Sequence, residues 1–464
     1  MVRSGSAQIF FFSYNLSGLF IRLQRHELSM ACMKSGSICS DGLGFQHIDV
    51  VQNRSPFFLG QRIQLKCPSG ERRFNYLNID QRPSHTKGLR THSVMLEKET
   101  LSTQKTLLHD LYYDQKQSPW YDNLRRPVSD LKPLIEKGIR GVTSNPTIFQ
   151  KAISSSNAYD DQFRQLIKEG KTVEEAYWGL VVKDIQDACK LFHSTYEESR
   201  AEDGYVSVEV SPKLAHETDE TIEAAKWLHK VVNQPNVHIK IPATAECVPA
   251  IKQVISLGIN VNVTLIFSLP RYEAVIDAYL EGLETSKNSD LSKIASVASF
   301  FVSRVDTLID KRLEALGTEE ALALRGKAAV AQAALAYKLY QEKFSGPRWE
   351  ALKARGAQKQ RLLWASTSVK NKAYPDTLYI SPLIGPDTVS TMPDAAVEAF
   401  LDHGKVARTI DMDYAEAQRV YKKIEELGIS WADVGSSLEM EGVESFLKSF
   451  DDLLGSLEKK AAAL

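Results

Sequence analysis

Three short stretches of the sequence alternate branched aliphatic residues with polar ones. These stretches are Val206–Val210, Val237–Ile241 and Val261–Leu265. Because successive side chains of a β-strand point to opposite faces, each stretch has one aliphatic face and one polar face. The polar faces carry Ser207 and Glu209, His238 and Lys240, and Asn262 and Thr264. If the three strands are neighbours, Glu209, Lys240 and Thr264 are expected to lie side by side near the carboxyl ends of their strands.

A lysine and a glutamate in this arrangement suit covalent chemistry. Burial among apolar strands disfavours the charged form of a lysine, and a neutral amine attacks a ketone to form a Schiff base. Glu209, with Thr264 and a water molecule, would move the protons that imine formation requires. Two alternatives remain open at this point. Lys240 and Glu209 are a buried structural ion pair, or the polar faces belong to an antiparallel sheet that is open to water.

The elements around these strands predict a parallel β-sheet covered by helices. From about residue 95 onward, short apolar segments alternate with amphipathic helical patterns such as 221–232, 270–283 and 319–344. The predicted strands are Pro119–Asp122, Gly138–Ser144, Tyr205–Val210, Val237–Ile241, Ile259–Phe267, Ile294–Val302, Leu362–Ser366 and Thr377–Ser381. Eight strand–helix units predict an α/β fold of the (β/α)8, or TIM barrel, type. The alternative is a doubly wound open sheet, but its Gly-rich dinucleotide fingerprint is absent. Residues 412–464 predict further helices that cap the barrel.

Polar residues also follow the other predicted strands. Asp122 ends the first strand and is interpreted as a general base or, alternatively, as a helix N-cap. Asn145 precedes Pro146, which forces extended geometry and directs the amide toward the barrel mouth. Arg304 opens a helix after the sixth strand, where it would bind phosphate or pair with a nearby aspartate. Ser366 and Lys370 follow the seventh strand and are further candidates for phosphate contacts.

Composition limits the possible functions. The formal net charge of −1 gives no electrostatic signature of nucleic-acid binding. No apolar run reaches the roughly 18 to 20 residues that span a bilayer, so no membrane partner is predicted. The 5 cysteines and 10 histidines show no ligand-like spacing, which predicts no metal site and reduced thiols.

The N-terminal part of the chain differs from the rest. We predict that residues 1–85 form a disordered targeting segment and that residues 86–464 form the barrel with its helical extension. The first forty residues are Ser-rich, apolar and poor in acidic residues, which is typical of an organellar transit peptide. A secretory signal and a plain disordered extension are the alternatives. The expected location is the plastid, with the cytoplasm as the alternative.

Six motifs in order resemble those of transaldolases, specifically the longer bacterial and plant form, which suggests a plant plastid enzyme. They cover about residues 95–460 and read VTSNPTIF (142–149), VSVEVSPKLAHET (206–218), VHIKIPAT (237–244), NVNVTLIFSLPRY (260–272), SFFVSRVD (299–306) and WASTSVKNKAY (364–374). The resemblance implies roles for individual residues. These are Lys240 as the Schiff-base lysine, Asp122 as the acid/base in cleavage, Glu209 and Thr264 as holders of the catalytic water, Asn145, Asn262 and Ser299 as contacts of the dihydroxyacetone moiety, and Arg304 and Ser366 as phosphate contacts.

The resemblance also implies a reaction. The family transfers a dihydroxyacetone unit from sedoheptulose 7-phosphate to glyceraldehyde 3-phosphate, with sugar phosphates as partners and no cofactor. Phe301 is expected to lie near the carbanion carbon, where related dihydroxyacetone-releasing aldolases carry Tyr. One departure is Ser368, which stands where shorter transaldolases have an arginine, and Lys370 is expected to replace that charge. The alternatives are a class I aldolase and an inactive homologue that binds sugar phosphates. Either a monomer or a homodimer is expected.

Overall fold

The computed structural model describes residues 9–14, 21–26 and 105–463. The chain divides into two units, Met1–Lys98 and Glu99–Leu464. In the first unit, strands β1 (Ile9–Tyr14) and β2 (Ile21–His26) pair in antiparallel register. The β1 sequence IFFFSY is rich in residues that favour strands. The rest of the predicted 1–85 segment lies outside the described residues.

The second unit is built on a parallel sheet that closes on itself. Its strands are β3 (Gln117–Tyr121), β4 (Val206–Glu209), β5 (Val237–Pro242), β6 (Val261–Ile266), β7 (Ser296–Phe301), β8 (Arg361–Ala365) and β9 (Thr388–Met392). They are hydrogen-bonded in the order β3-β9-β8-β7-β6-β5-β4, and every pair is parallel. Single bridges join Val142 to Tyr121 of β3 and to Val206 of β4. Val142 therefore occupies the eighth position and closes the ring, which confirms the predicted (β/α)8 barrel.

Two of the predicted strands differ from the observed ones. The second, Gly138–Ser144, is reduced to the bridge at Val142, next to Gly141, whose backbone lies directly against the Trp120 indole. The eighth was placed wrongly, because residues 377–381 form turns that lead into a 3-10 helix at Ser381–Leu383. Pro382 in that helix lacks the N–H that a strand ladder needs. The edge of β8 is instead paired with β9, whose sequence TVSTM was not selected as a strand.

Helices surround the barrel and extend beyond it. They are α1 (Leu107–Gln115), α2 (Lys132–Glu136), α3 (Pro146–Ser154), α4 (Asp160–Lys168), α5 (Val173–Leu191), α6 (His193–Glu198), α7 (Thr218–Val232), α8 (Cys247–Ser256), α9 (Leu269–Thr285), α10 (Ser303–Leu316), α11 (Glu319–Leu322), α12 (Ala328–Lys343), α13 (Gly346–Lys353), α14 (Asp394–His403), α15 (Tyr414–Glu426) and α16 (Trp431–Ala462). The single helix predicted over 319–344 is divided into α11 and α12, with Gly326 at positive φ between them. No helix of the described residues is long and apolar enough to cross a membrane.

The aliphatic faces of the strands form the core between barrel and helices. Val208, Ile239, Ile241 and Val263 are at most 1% exposed, as the alternation in the sequence predicted. The C-terminal residues fold into α15 and α16, and α16 packs against α3, α5, α10 and β6. A long helix thus crosses the carboxyl ends of the strands, where barrel enzymes place their active sites.

Candidate active site

Lys240 and Glu209 face each other on neighbouring strands inside the barrel. They are registered partners on β5 and β4, and the Lys240 Nζ atom lies 3.3 Å from the Glu209 Oε2 atom. This is an ion-pair distance without hydrogen-bond geometry, since Glu209 Oε2 has no hydrogen-bond partner among the described residues. Lys240 instead donates to the Ser144 carbonyl oxygen at 3.2 Å. Burial raises the pKa of Glu209, and the Lys240 cation opposes that shift.

Thr264 lies further along the barrel axis than the sequence suggested. Lys240 is registered with Asn262 on β6, and Thr264 is registered with Pro242. The prediction that Glu209, Lys240 and Thr264 lie side by side is therefore corrected for Thr264, which lies two residues beyond the position paired with Lys240. Thr264 lies within a bulge between Val263 and Ile266, in which Leu265 has φ +59°. Such strained backbone is often found beside active sites.

The Thr264 hydroxyl is buried and has no hydrogen-bond partner among the described residues. The Oε2 atom of Glu209 shares this property. A buried polar atom without a partner is unfavourable by roughly 1 to 3 kcal/mol, so a polar group or water molecule is expected to bind there.

A chain of polar side chains continues across the barrel interior. Ser299 donates its hydroxyl hydrogen to Asn262 Oδ1 at 2.7 Å, and Asn262 Nδ2 donates to Ser207 Oγ at 3.0 Å. Asn262 is fully buried, and Ser299 is 1% exposed. These two bonds fix the amide orientation of Asn262 beside Lys240.

Asp122 stands at the end of β3, on the cavity that also contains Lys240. The Thr143 hydroxyl donates to Asp122 Oδ1 at 2.7 Å, which leaves Oδ2 available to another donor. The helix-cap interpretation of Asp122 was wrong, because the next helical segment begins at Val128 and its N-cap is Pro127. Asp122 is therefore half-buried, and its carboxylate is oriented by the hydrogen bond from Thr143 and not by capping a helix.

Asn145 adopts the extended backbone that the following proline predicted, with φ −156° and ψ 169°. Its Oδ1 atom accepts from the Ile148 amide at 2.9 Å and caps α3. The cap uses the amide oxygen, so the Nδ2 donor faces the cavity that Asn145 lines.

Cationic residues gather on another side of the mouth. Arg304 is half-buried in the first turn of α10, and its suggested pairs with aspartates do not form. Asp306 binds the Ala329 amide and the Tyr379 hydroxyl, while Asp310 binds the Gly326 amide and the Tyr374 hydroxyl. Ser366 shares a hydroxyl–hydroxyl hydrogen bond of 2.8 Å with Ser303, the residue before Arg304.

Lys370 is exposed and donates to Ser368 Oγ at 2.7 Å. Partial desolvation of its ammonium group by neighbouring side chains, together with the nearby Arg304 and Lys151 cations, lowers the pKa of Lys370. Lys151 on α3 thus contributes to the positive charge near the site. Such a group of cations attracts an anionic substrate.

One cavity brings most of the predicted site residues together. Its lining includes Asp122, Asn145, Lys240, Ser299, Phe301, Arg304 and Ser366. Glu209 lines an adjoining cavity that it shares with Asn145. The lining of neither cavity includes Asn262, Thr264 or Lys370. Within residues 105–463, no group of three or more His, Cys, Asp or Glu side chains is arranged to hold a metal ion.

The cavity also contains residues that sequence reasoning did not select. They are Thr143, Leu363, Ala365, Thr391 and Phe446. Thr143 lies within the VTSNPTIF motif, so its position beside Asp122 was available as a signal. Thr391 belongs to the strand that was misplaced. Phe446 belongs to α16, and nothing in the local sequence indicates that its ring reaches the barrel mouth.

The amino-acid sequence of this chain matches a family of known proteins. The family model described as transaldolase/fructose-6-phosphate aldolase matches residues 119–457. "Transaldolase 2" of Streptomyces coelicolor is 50% identical over 358 residues, which cover 76% of this chain and 96% of that protein. "Transaldolase" of Mycolicibacterium smegmatis is 51% identical over 348 residues, which cover 74% of this chain and 94% of that protein. "Transaldolase 2" of Streptomyces avermitilis is 51% identical over 352 residues, covering 74% and 95% respectively.

Proposed function

The chain belongs to the transaldolase/fructose-6-phosphate aldolase family, and on that basis we propose that it is a transaldolase. The enzyme transfers a dihydroxyacetone unit from sedoheptulose 7-phosphate to glyceraldehyde 3-phosphate, which gives erythrose 4-phosphate and fructose 6-phosphate. This reaction belongs to the non-oxidative pentose phosphate pathway. The observation that carries the proposal is the buried Lys240–Glu209 pair at the mouth of a barrel whose relatives, about half identical, are named transaldolases.

The reaction begins with the Lys240 amine. In its neutral form the amine attacks the C2 ketone of the donor and forms a carbinolamine, which loses water to give a protonated Schiff base. Among the described residues, the Lys240 Nζ atom donates one hydrogen bond, to the Ser144 carbonyl oxygen, so the lone pair of the neutral amine stays free to attack the ketone. The positive imine then attracts electrons from the adjacent carbon, which weakens the C3–C4 bond of the sugar.

Proton transfers during imine formation are assigned to Glu209 and Thr264. Both carry a buried oxygen without a hydrogen-bond partner, and a water molecule bound between them would satisfy these atoms. Through that water, Glu209 would take a proton from the Lys240 ammonium and so free the amine for attack. The water would then move a proton from the added nitrogen to the alkoxide oxygen of the carbinolamine. Protonated Glu209 would finally return its proton to the carbinolamine hydroxyl, which leaves as water and yields the protonated Schiff base. Because burial raises its pKa, Glu209 holds a proton more readily than an exposed glutamate, which suits it to exchange protons during the reaction.

Bond cleavage is assigned to Asp122. Its carboxylate takes the proton of the C4 hydroxyl as the C3–C4 bond breaks, and the electron pair of that bond passes into the imine. The aldehyde product then leaves, and dihydroxyacetone stays on Lys240 as a stabilised carbanion. The arriving aldehyde is attacked by this carbanion, and Asp122 returns its proton to the new hydroxyl. Thr143 holds the carboxylate in place through the 2.7 Å hydrogen bond.

Substrate binding divides between two groups of residues. Asn145, Asn262 and Ser299 contact the hydroxyls of the dihydroxyacetone unit, for which the fixed amide of Asn262 supplies the most rigid partner. Arg304 and Ser366 bind the phosphate at the other end of the sugar, and Lys370 adds positive charge at the rim. Guanidinium and hydroxyl groups are suitable donors for phosphate oxygens.

A two-part assay tests this function. The purified protein is given fructose 6-phosphate with and without erythrose 4-phosphate, and sedoheptulose 7-phosphate, glyceraldehyde 3-phosphate and free dihydroxyacetone are each quantified. A transaldolase forms the first two products only when both substrates are present, and it releases little dihydroxyacetone. Release of dihydroxyacetone at the same rate with or without acceptor would identify an aldolase instead. The Lys240→Ala variant is the control for contaminating activity.

The proposal includes a plastid transit peptide in residues 1–85, with the cytoplasm as the alternative location. It is supported by the Ser-rich, acid-poor composition of this segment, which precedes the start of the family model at residue 119. The relatives named above are bacterial proteins, so they carry no support for a plastid. A reporter fused to residues 1–85 is expected to enter plastids of plant cells. A reporter that stays in the cytosol or is secreted would refute this part.

A further inference from the structure

Arg304 is held by aromatic rings instead of by carboxylates. Its guanidinium carbon lies 5.2 Å from the centre of the Phe301 ring and 5.8 Å from the centre of the Phe446 ring. In the part of the chain that the structure describes, Arg304 makes no salt bridge and no side-chain hydrogen bond. The guanidinium therefore keeps its hydrogen-bond donors for a ligand while its position is set by the two rings.

Both rings are nearly removed from solvent. Phe446 is 3% exposed and Phe301 is 6% exposed, and both line the cavity that contains Lys240. The attraction between a cation and an aromatic face is stronger when the contact excludes water. Phe301 comes from the barrel, three residues before Arg304, whereas Phe446 comes from α16, near the other end of the sequence. The two rings thus hold Arg304 from independent elements.

The packing of α16 brings its Phe446 ring this close. One turn before it, on the same face of the helix, stands Gly442. A Cβ atom at Gly442 would lie 2.9 Å from Leu265 Cδ2 and 3.5 Å from Arg304 Nη1. Gly435 lies two turns before Gly442, and a Cβ atom there would lie 2.9 Å from the Ser268 Cβ atom. Because Gly435 and Gly442 have no side chains, this face of α16 can pack closely against the end of β6 and against Arg304.

Polar contacts fix α16 across the mouth at several points along its length. They are Arg312–Asp433 at 2.7 Å, Arg271–Glu439 at 3.1 Å, Thr147–Ser449 at 2.8 Å and Lys460–Asp160 at 2.6 Å. The partners belong to α10, α9, α3 and α4, so the helix is held to both sides of the barrel. Phe446 lies between Glu439 and Ser449, which form the two middle contacts, so the part of α16 that carries its ring is held in place on both sides.

From this arrangement we infer that Phe446 is a positioning residue, which holds the Arg304 guanidinium for the phosphate of the substrate. The inference rests on the proposed function, in which Arg304 binds that phosphate. Without the Phe446 ring, Arg304 keeps its charge but loses one of the two surfaces that orient it. Discrimination in favour of phosphorylated substrates then decreases, while the chemistry at Lys240 is unaffected.

The test compares two leucine substitutions on the same helix. Phe446→Leu removes the ring that faces Arg304, and the matched control Phe450→Leu removes a ring one turn further on. Phe450 is 1% exposed, packs against Tyr177 and lies 5.1 Å from the Lys213 Nζ atom. Both variants lose similar buried apolar surface, but only the first touches the Arg304 site. Phe446→Tyr retains the ring and is the rescue variant.

The readout is the KM for erythrose 4-phosphate and for free erythrose, with fructose 6-phosphate as donor. Phe446→Leu is expected to raise the KM for erythrose 4-phosphate roughly tenfold and to leave kcat and the KM for erythrose within about twofold. Phe450→Leu and Phe446→Tyr are expected to match the wild type. If Phe446→Leu does not fold, Phe446→Met supplies the same comparison with a more flexible apolar side chain.

Other outcomes would overturn the inference. An equal change in both leucine variants would mean that Phe446 acts only through packing of α16. An unchanged KM in Phe446→Leu, beside a raised KM in Arg304→Ala, would refute the role of Phe446 while the proposed function stands. If Arg304→Ala also leaves the preference for erythrose 4-phosphate unchanged, the phosphate assignment itself is wrong. Failure of the proposed function is distinct, because the wild-type protein would then show no transfer at all.

Discussion

The Lys240 Nζ atom lies 3.3 Å from the Glu209 Oε2 atom, across the boundary between β5 and β4, and each side chain is 5% exposed. A buried ion pair of this kind is no more stabilising than a well-packed apolar replacement, so it is weak support for a purely structural role. Burial raises the pKa of Glu209, so its carboxylate becomes protonated at a higher pH than an exposed glutamate.

The first prediction concerns the pH dependence of imine formation. As the pH falls through the raised pKa of Glu209, the base that accepts protons is lost, and the rate of trapping by borohydride should decrease. An exposed glutamate has a pKa of about 4.3. The pH at which the trapping rate falls on the acidic side should therefore be higher than this value. Glu209→Gln should abolish that limb and lower the plateau by about tenfold or more. Rates measured between pH 4 and 8 provide the check, and an identical acidic limb in both proteins would contradict it.

Asp122 is predicted to act in cleavage and not in imine formation. Asp122→Asn keeps the size of the side chain but removes the base, so turnover should fall by about 100-fold or more. Borohydride trapping of the donor should continue at a rate close to the wild type. Thr143→Val, which removes only the hydrogen bond to Asp122, should cause a smaller loss of turnover. If the asparagine variant fails to trap but still cleaves a preformed imine, the two carboxylates have exchanged roles.

Phe301 is predicted to keep the carbanion from being protonated. Its ring lines the cavity, is 6% exposed and packs against Phe267 at 5.0 Å, so it offers no proton donor and excludes water. Phe301→Tyr should increase release of free dihydroxyacetone from fructose 6-phosphate and decrease transfer to erythrose 4-phosphate. Coupled assays of both products on one preparation measure the ratio. A ratio equal to that of the wild type would mean that the partition is set elsewhere.

His238 is predicted to make the protein sensitive to acid. Its ring is fully buried, stacks on Tyr205 at 4.1 Å and has no hydrogen-bond partner on either nitrogen among the described residues. Burial lowers the pKa of His238 to about 3, whereas a histidine in the unfolded chain titrates near pH 6.5. The unfolded state thus binds more protons between these values, and the free energy of unfolding falls as the pH falls through this window.

The size of this effect is measurable by urea denaturation. Between pH 7 and pH 5 the folded state should lose about 2 kcal/mol through His238 alone. His238→Phe keeps the stacked ring and removes the titration, so its loss over the same range should be smaller by that amount. His193→Phe, at an exposed histidine, is the control and should behave as the wild type. Equal losses in His238→Phe and the wild type would refute the prediction.

Much of the barrel could be predicted because aliphatic and polar residues alternate along its strands. The aliphatic and polar faces of Val237–Pro242 follow directly from the order of its residues, and so does the inward position of Lys240. The eighth strand was misplaced because TLYIS and TVSTM have similar strand propensity. Which of them pairs with β8 depends on Pro382 and on contacts with distant strands, which propensity does not contain.

The register between neighbouring strands and the contacts between distant parts of the chain could not be predicted from the sequence. Thr264 was placed level with Lys240, because local alternation determines the face of a residue but not its height along the barrel. Phe446 was missed because its ring reaches the cavity from α16. The apolar pattern of that helix predicts that one face is buried, but it does not show which part of the protein covers that face. The close approach depends on Gly442 meeting Leu265 and Arg304, and these residues are far apart in sequence.

Catalysis through a Schiff base on Lys240 can be tested by trapping the intermediate. The protein is incubated with fructose 6-phosphate, reduced with borohydride and digested, and the modified peptide is sequenced by mass spectrometry. We expect a three-carbon adduct on Lys240, with none formed in Lys240→Ala. An adduct on Lys151 or Lys370, or no adduct in an active enzyme, would contradict it.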